Sequence, residues 1–196
     1  RLKKNQWEIE RQKLKRLRAT PAVTLDGAAI ELQANIELPD DMDGVAQCGA
    51  TGVGLFRSEF LFLGRLELPS EDEQFEAYRK VAAAMKAHPV TIRTLDVGAD
   101  KRLDGPNLSG TTSALGLRAI RYCLSEPRLF LTQLRAILRA SQFGKVQILI
   151  PMLSSSLEIK QALDMVKHAK EQLREANIAF DAGIKVGGMI EVPAAA

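Results

Sequence analysis

Apolar and polar residues alternate strictly through 29–38, which is the clearest pattern in the chain. The apolar positions are Ile30, Leu32, Ala34, Ile36 and Leu38, and the intervening residues 31, 33, 35 and 37 are polar. A period of two residues is typical of a β-strand with one covered face. The alternation therefore predicts a strand over 29–38.

Four further apolar segments predict strands at 52–56, 89–95, 145–150 and 184–192. The segment 145–150 is so apolar that we expect it to be buried on both faces. Helical patterns cover 1–19, 40–50 and 115–141, and two more follow Ser70 and Ser155. Each of these serines begins a Ser-x-x-Glu capping pattern. Pro127 predicts that a second helix starts within 115–141.

The elements alternate as strand and helix four times and end on a strand, which predicts an α/β fold with right-handed crossovers. Both an open doubly wound sheet and part of a (β/α)8 barrel fit this order. A full barrel takes about 250 residues. The sequence ends at a strand terminus, so we favour a partial (β/α)8 TIM barrel. We expect about its first five strands at 21–196, preceded by a linker helix at 1–20.

The net charge of +3 is concentrated in the N-terminal arm. Residues 1–18 hold eight Lys and Arg against two Glu, and the remainder holds 19 basic against 22 acidic residues. No aromatic-rich basic surface accompanies the arm. The charge is therefore poor evidence for nucleic-acid binding, and we expect no nucleic-acid partner.

The composition is that of a globular protein, with 46% hydrophobic and 26% charged residues. No apolar run approaches the roughly 18 to 20 residues that a membrane helix needs, and no signal peptide opens the chain. Cys48 and Cys123 lack CxxC spacing and a neighbouring metal-ligand cluster. Free thiols are expected, with a cytoplasmic location and no membrane insertion.

Three glycines at positions 49, 52 and 54 form a GxxGxG pattern. This differs from the GxGxxG pattern of dinucleotide-binding folds, and no Walker A motif occurs. The sequence therefore argues against a dinucleotide site. Tight packing between a helix and a strand explains the glycines better than direct phosphate contact does.

Four basic residues stand out: Arg57 and Arg93 near predicted strand ends, Lys101 in the loop after the second of these strands, and Arg118 at a helix start. Arginine forks match phosphate and carboxylate groups bidentately, so these residues could form a cationic cup for an anion that carries both. Glu59, Asp96 and Asp100 could instead be their structural partners. The spacing alone leaves both interpretations open.

Glu191 ends the apolar strand 184–192. A carboxylate in such a place needs a partner. A hard cation such as Mg²⁺ would serve, and so would a salt bridge.

Several long motifs resemble enzyme I of the bacterial sugar phosphotransferase system, from about Pro21 to the end. They are GVGLFRSEFLF at 52–62, PSEDEQFEAY at 69–78, IRTLDVGADK at 92–101, QLRAILRAS at 133–141, Pro151-Met152 and MIEVPA at 189–194. The resemblance covers part of that family's C-terminal phosphoenolpyruvate-binding domain.

The resemblance implies a dimeric (β/α)8 barrel that binds phosphoenolpyruvate with Mg²⁺. The phosphoryl group would pass to a histidine on a separate N-terminal domain, and then to a histidine-phosphorylated carrier protein. Arg57 and Arg93 would grip phosphate and carboxylate, with Lys101 and Arg118 in support, and Glu191 would be one metal ligand. The family's phosphorylated histidine and acid cysteine match no residue here. We therefore expect no catalytic residue within this segment, and no turnover by it alone.

Two other functions remain open. The barrels of pyruvate phosphate dikinases and phosphoenolpyruvate synthases resemble the same sequence, although they typically have histidine where Phe60 stands. The segment could also act only as a non-catalytic dimerisation module. The sugar branch and a nitrogen or regulatory branch are not separable from these residues.

Overall fold

A computed structural model describes residues 6–7, 10, 12–14, 17–18, 20–98, 113 and 115–196. Its centre is a sheet of five parallel strands. The strands are β1 (Ala34–Ile36), β2 (Val53–Arg57), β3 (Pro89–Arg93), β4 (Lys145–Ile150) and β5 (Lys185–Gly188). Each overlaps a segment predicted from the sequence, so the α/β class is confirmed.

The strands lie side by side in the order in which they occur along the chain. A doubly wound sheet reverses its strand order at one point, and the five described strands show no reversal. Because all five are parallel, their carboxyl ends meet at one edge of the sheet. Arg57 at the end of β2 is the register partner of Arg93 at the end of β3, and Arg93 is that of Leu149 in β4.

Helices connect the strands. After residue 20 the described chain contains α1 (Met42–Cys48), α2 (Glu71–Met85), α3 (Ala119–Ser125), α4 (Pro127–Ala140) and α5 (Ser156–Glu175). Short 3₁₀ turns occur at Pro39–Asp41, Ser58–Leu61, Ser141–Phe143 and Pro193–Ala195. The predicted restart is confirmed, because Pro127 occupies the first turn of α4.

The predicted cap of α2 is also confirmed. The Ser70 hydroxyl accepts a hydrogen bond from the Glu73 backbone N–H at 3.2 Å, and the Glu73 carboxylate accepts one from the Ser70 N–H at 2.8 Å. These two bonds satisfy amide groups that have no partner within the helix. The bond from the Ser70 N–H, together with the Arg65 guanidinium group, also holds the pKa of Glu73 below its ordinary value. The capping motif therefore fixes where α2 begins.

The core lies between the sheet and three of its helices. Helix α2 packs against α4, and α4 packs against α5. In addition, α2 contacts β3 and α4 contacts β4. Phe56 and Tyr78, both fully buried, meet edge to face with ring centroids 5.7 Å apart. Such an aromatic pair stabilises the core beyond its buried area.

Strand β4 is buried on one face only, so the expectation of burial on both faces is wrong. Val146, Ile148 and Ile150 are buried, whereas Gln147 and Leu149 between them are half-buried. The described chain covers the second face of the sheet only in part. An apolar run thus indicated a strand correctly but overstated its burial.

The predicted strand 89–95 is two residues longer than β3, and two other predicted strands are more than twice as long as those observed. The alternating segment 29–38 forms ladder pairs only where β2 lies beside it, from Ala34 to Ile36. Ile30 and Leu32 are half or more exposed, and they line an apolar groove with Leu14 and Leu17 of the arm. The predicted strand 184–192 is likewise confined to β5, where β4 supplies the partner.

The predicted linker helix is described only in part. Residues 6, 7, 10, 12–14 and 17 are helical. The remainder of 1–17 lies outside the described residues.

Gly144, just before β4, marks a very close approach between the sheet and α2. A Cβ atom at this position would lie 2.5 Å from the Ala82 carbonyl oxygen. Its backbone is extended, so the constraint is space rather than conformation. We expect Gly144→Ala to lower the free energy of unfolding by about 2 kcal/mol, as overpacking commonly does.

Urea denaturation would measure this difference, with Gly44→Ala as the control. Gly44 lies within α1, and a Cβ there would meet nothing within 4 Å. Alanine favours a helix interior over glycine by about 1 kcal/mol, so Gly44→Ala should be neutral or stabilising. Equal effects of the two substitutions would contradict the close contact.

Candidate functional site at the carboxyl edge of the sheet

Two of the predicted anion-binding arginines end neighbouring strands. Arg57 is the last residue of β2, and Arg93 is the last residue of β3. Because side chains alternate along a strand, both point away from the face of the buried Phe56 and Ile92. The sheet therefore brings the two guanidinium groups together, at the edge predicted from the sequence.

One carboxylate joins these two arginines. Glu59 Oε1 lies 3.3 Å from Arg57 Nε, and it forms a short ion pair with Arg93 Nη2. Glu59 is only 5% exposed, in the 3₁₀ turn that follows β2. Removing one partner from a buried ion pair is strongly destabilising. Glu59 therefore fixes the two guanidinium groups relative to each other.

Arg57 has two further contacts at its more exposed side. Its Nη1 donates to Glu37 Oε1 at 2.6 Å, and its guanidinium carbon lies 4.6 Å from the centroid of the Phe60 ring. Cation–π contact of this kind orients a guanidinium group. Arg57 is thus held from three directions while part of its surface stays open to solvent.

Arg93 and Arg118 share a second buried carboxylate. Asp96 Oδ2 lies 3.3 Å from Arg93 Nη1, and Asp96 Oδ1 accepts a hydrogen bond from Arg118 Nη2 at 3.0 Å. Arg118 precedes α3, and its backbone forms an isolated bridge with Gly98. The interpretation of Glu59 and Asp96 as structural partners of the arginines is therefore confirmed.

These contacts form one continuous chain of alternating charges, which we call the arginine–carboxylate chain. Its members in order are Glu37, Arg57, Glu59, Arg93, Asp96 and Arg118. Three positive and three negative groups balance. The three carboxylates therefore compensate the charge of three guanidinium groups at the sheet edge.

Some hydrogen-bonding capacity in the arginine–carboxylate chain is unused. Within the described part of the protein, the buried Nε of Arg93, the buried Nε of Arg118 and the buried Oε2 of Glu59 have no hydrogen-bond partner. Buried polar atoms usually find partners, and an unsatisfied one costs about 1–3 kcal/mol. The two N–H groups could therefore serve an anionic ligand.

Of the two remaining predicted site residues, only Glu191 lies in the described part of the protein. Lys101 lies outside the described residues, as does Asp100. Glu191 follows β5 and is exposed, and its Oε1 accepts a hydrogen bond from the Met152 backbone N–H at 2.7 Å. It is thus anchored to the loop after β4. No described contact joins Glu191 to the arginines.

A buried polar network beneath the arginine–carboxylate chain was not predicted from the sequence. Gln133 of α4 donates to Ser58 Oγ at 3.0 Å and to the Tyr78 hydroxyl at 3.1 Å. Its Oε1 accepts from the Leu95 N–H at 2.9 Å, and Ser58 Oγ donates to the Arg93 carbonyl. Burial raises the pKa of Tyr78, which therefore stays protonated. The network fixes the backbone that carries Arg93.

Arg121 is a second residue that the sequence analysis missed. From α3 it donates to the Met152 carbonyl at 2.9 Å and to Glu158 Oε1 at 3.1 Å. Met152 has a positive φ of 57°, which is unusual for a residue other than glycine. Glu191 and Arg121 together hold both backbone groups of Met152. The motif Pro151-Met152 is the signal that could have indicated this loop.

Both cysteines are free, as predicted, with Cys48 exposed and Cys123 buried. Burial and the nearby Asp96 charge raise the pKa of Cys123 to about 12. Its thiol is therefore neutral at physiological pH and is a poor nucleophile. Neither cysteine is a candidate for the site.

Two features are absent from the described residues. They contain no group of three or more His, Cys, Asp or Glu side chains placed to hold a metal ion. Among them, too, no helix combines the length and the apolar character that crossing a membrane requires.

Three relatives of the chain carry the same name. A phosphoenolpyruvate-protein phosphotransferase of Cupriavidus necator is 59% identical over 191 residues, which is 95% of this chain and 33% of that protein. Proteins of the same name from Geobacillus stearothermophilus and Staphylococcus epidermidis are 46% and 44% identical over 195 residues, which is 99% of this chain and 34% of each. The chain spans about a third of the length of these curated relatives.

A family model agrees with these similarities. The model described as "PEP-utilising enzyme, PEP-binding domain", where PEP is phosphoenolpyruvate, matches residues 11–196. The match includes every described member of the arginine–carboxylate chain. The chain therefore belongs to the family of PEP-utilising enzymes, and it corresponds to their PEP-binding domain.

Proposed function

We propose that the protein carrying this chain transfers the phosphoryl group of phosphoenolpyruvate to a histidine on a separate domain and releases pyruvate. This would be the first step of the sugar phosphotransferase system. The family match and the name shared by the relatives support the proposal. The observation that carries it is the pair Arg57 and Arg93, held by Glu59 at the carboxyl edge of a parallel sheet.

The geometry suits the ligand. Phosphoenolpyruvate carries a phosphate and a carboxylate a few bonds apart, and arginine forks match both groups. Ligands of parallel α/β sheets bind at the carboxyl ends of the strands. Arg57 is the more exposed arginine and Arg93 the more buried one. The two could therefore hold one small molecule with two anionic groups between solvent and sheet.

Phosphoryl transfer requires mainly positioning and neutralisation of charge on the equatorial oxygens. The bond from phosphorus to the enol oxygen breaks, and a bond from phosphorus to a histidine nitrogen forms. The enolate then takes up a proton at its terminal carbon to give pyruvate. In this chain Arg57 and Arg93 would orient the molecule, with Arg118 and Lys101 in support. The accepting histidine would come from another part of the protein.

The fold proposal is a partial (β/α)8 barrel. The consecutive order of parallel strands supports it, and so does the half-buried second face of β4, because the inner face of a barrel is filled only when all strands are present. A homodimer, the histidine-phosphorylated carrier protein as partner, and a cytoplasmic location stay predictions.

Mg²⁺ is the proposed cofactor, with Glu191 as one ligand. Mg²⁺ is commonly bound through one or two carboxylates together with substrate phosphates and water. Glu191 fits this role because it is exposed, and only its Oε1 has a described hydrogen bond. The ion would supply charge neutralisation at the phosphoryl oxygens. The backbone of Met152 would hold Glu191 in place for it.

The test of the function is phosphorylation of the complete protein from labelled phosphoenolpyruvate. We expect Mg²⁺-dependent incorporation of label on a histidine, with release of an equal amount of pyruvate. Adenosine triphosphate as the only donor should give no label. Failure of phosphoenolpyruvate to label or bind the complete protein would refute the proposal.

Replacing Glu191 with glutamine tests the metal site. Because glutamine keeps the size but loses the charge, we expect the Mg²⁺ concentration for half-maximal labelling to rise at least tenfold. Glu171→Gln is the control, since Glu171 lies on the exposed side of α5 and its nearest partner, Lys167, is 3.9 Å away. An unchanged Mg²⁺ requirement in Glu191→Gln would remove Glu191 from the metal site.

Two alternatives receive less support. Pyruvate phosphate dikinases and phosphoenolpyruvate synthases would use the same arginines, but the relatives compared above are all named phosphoenolpyruvate-protein phosphotransferase. A purely dimerising module would not need three guanidinium groups at one sheet edge. Labelling of the complete protein distinguishes these possibilities.

A further inference from the structure

Glu37 is the exposed end of the arginine–carboxylate chain. Its side chain is 46% exposed, whereas the side chains of Glu59 and Asp96 are 7% and 10% exposed. An ion pair at the surface is weak because water competes for both partners. The ion pair of Glu37 with Arg57 is therefore the easiest contact of the arginine–carboxylate chain to break.

The Glu37 backbone is fixed although its side chain is not. The N–H groups of Glu37 and Leu38 both donate to Asp41 Oδ2 at 2.9 Å. These bonds keep the pKa of Asp41 below its ordinary value, so the carboxylate persists near neutral pH. The Glu37 side chain can thus rotate away from Arg57 while its backbone stays in place.

Arg57 keeps its position without Glu37. Its Nε still faces Glu59, and the Phe60 ring still lies under its guanidinium group. Glu37 holds Nη1, and no described residue accepts from Nη2. A phosphate or carboxylate ligand would bind the outer edge of this guanidinium group. At Nη1 that edge is already occupied by the Glu37 carboxylate, which a ligand could replace.

We propose that Glu37 is an internal competitor for the anion site of Arg57, and that phosphoenolpyruvate must displace it to bind. Glu59 has the opposite role of a positioning residue that stays in place. This inference rests on the proposed function for the identity of the ligand. Glu37 thereby sets the affinity of the site without taking part in the transfer.

The test compares phosphoenolpyruvate-dependent labelling in the complete protein with wild-type Glu37, Glu37→Gln and the control Glu31→Gln. Glu31 lies on the same polar side of the segment 29–38, and its described contact is with Gln33. Glu37→Gln should lower KM by about 1.5- to fivefold, the range expected for loss of an exposed ion pair, with kcat unchanged. Glu31→Gln should leave both constants unchanged.

Binding of inorganic phosphate, measured by calorimetry, is a second readout that needs no turnover. Glu37→Gln should bind phosphate more tightly than the wild type by a similar factor. If the wild type turns over but Glu37→Gln binds neither phosphoenolpyruvate nor phosphate more tightly, the inference about Glu37 is wrong and the proposed function stands. If Glu37→Gln binds phosphate more tightly but the wild type neither turns over nor binds phosphoenolpyruvate, the proposed function is wrong and the competition at Arg57 stands.

An equal gain in anion affinity in Glu31→Gln would also overturn the inference, because the change in net charge would then explain the effect.

Glu59→Gln separates competition from positioning. We expect it to raise KM at least tenfold, since both guanidinium groups lose their shared carboxylate. A lower KM in Glu59→Gln would contradict the distinction between the two glutamates.

Discussion

Replacing Arg93 with alanine is expected to reduce phosphoenolpyruvate-dependent labelling of the complete protein by 10³-fold or more. This is the order of magnitude found for arginines that neutralise charge in phosphoryl transfer. Arg93 is the central member of the arginine–carboxylate chain and contacts both Glu59 and Asp96. Its loss removes one of the groups that would bind the ligand. It also takes one cationic partner from each of the carboxylates of Glu59 and Asp96.

Arg93→Lys separates binding from folding. Lysine keeps the positive charge but not the planar fork, so the protein should fold while KM for phosphoenolpyruvate rises at least tenfold. Arg79→Ala is the control, since Arg79 forms an exposed pair with Glu76 within α2, and it should retain full activity. If Arg93→Ala were as active as Arg79→Ala, the site would be placed wrongly.

Replacing Gln133 with alanine is expected to cause the largest loss of stability. In a fully buried place, the substitution removes the acceptor of the Leu95 N–H and one of the two partners of the Ser58 and Tyr78 hydroxyls. Each buried group left unsatisfied costs about 1–3 kcal/mol. We therefore expect the free energy of unfolding to fall by about 4 kcal/mol.

Hydrogen exchange measured by mass spectrometry would localise this effect. The peptide that contains Leu95 should exchange much faster in Gln133→Ala, because the Leu95 N–H loses its acceptor. Gln142→Ala is the control, since Gln142 is exposed just beyond α4, and surface substitutions usually change stability by less than about 0.5 kcal/mol. Unchanged exchange at Leu95 would show that the network does not hold this strand end.

The sequence predicted those parts of the fold that depend on local pattern. Capping residues such as Ser70 and the proline at 127 act on their own helix, so their effects are visible in a short window. Arg57 and Arg93 could be paired in advance because the ends of adjacent parallel strands must meet. Anion binding by them stays a prediction.

Contacts between distant elements could not be predicted. Gln133 reaches Leu95 across 38 residues, and Glu37 reaches Arg57 across 20. Such bonds depend on how α4 packs against the sheet and on where the chain turns. The pattern of apolar and polar residues indicates neither of these. Two apolar residues of α5 show the same limit, because Ile159 and Leu163 remain almost half exposed in a surface cleft.

The carboxylate that Arg57 and Arg93 share also makes their substitutions interdependent. Once Glu59 is gone, each arginine has lost part of its fixed geometry, so a further change at either position should cost less than it does in the native background. Positions 57, 59 and 93 would then behave as one unit under mutation. A sequence that departs at one of them would tolerate, and even favour, a matching change at the others.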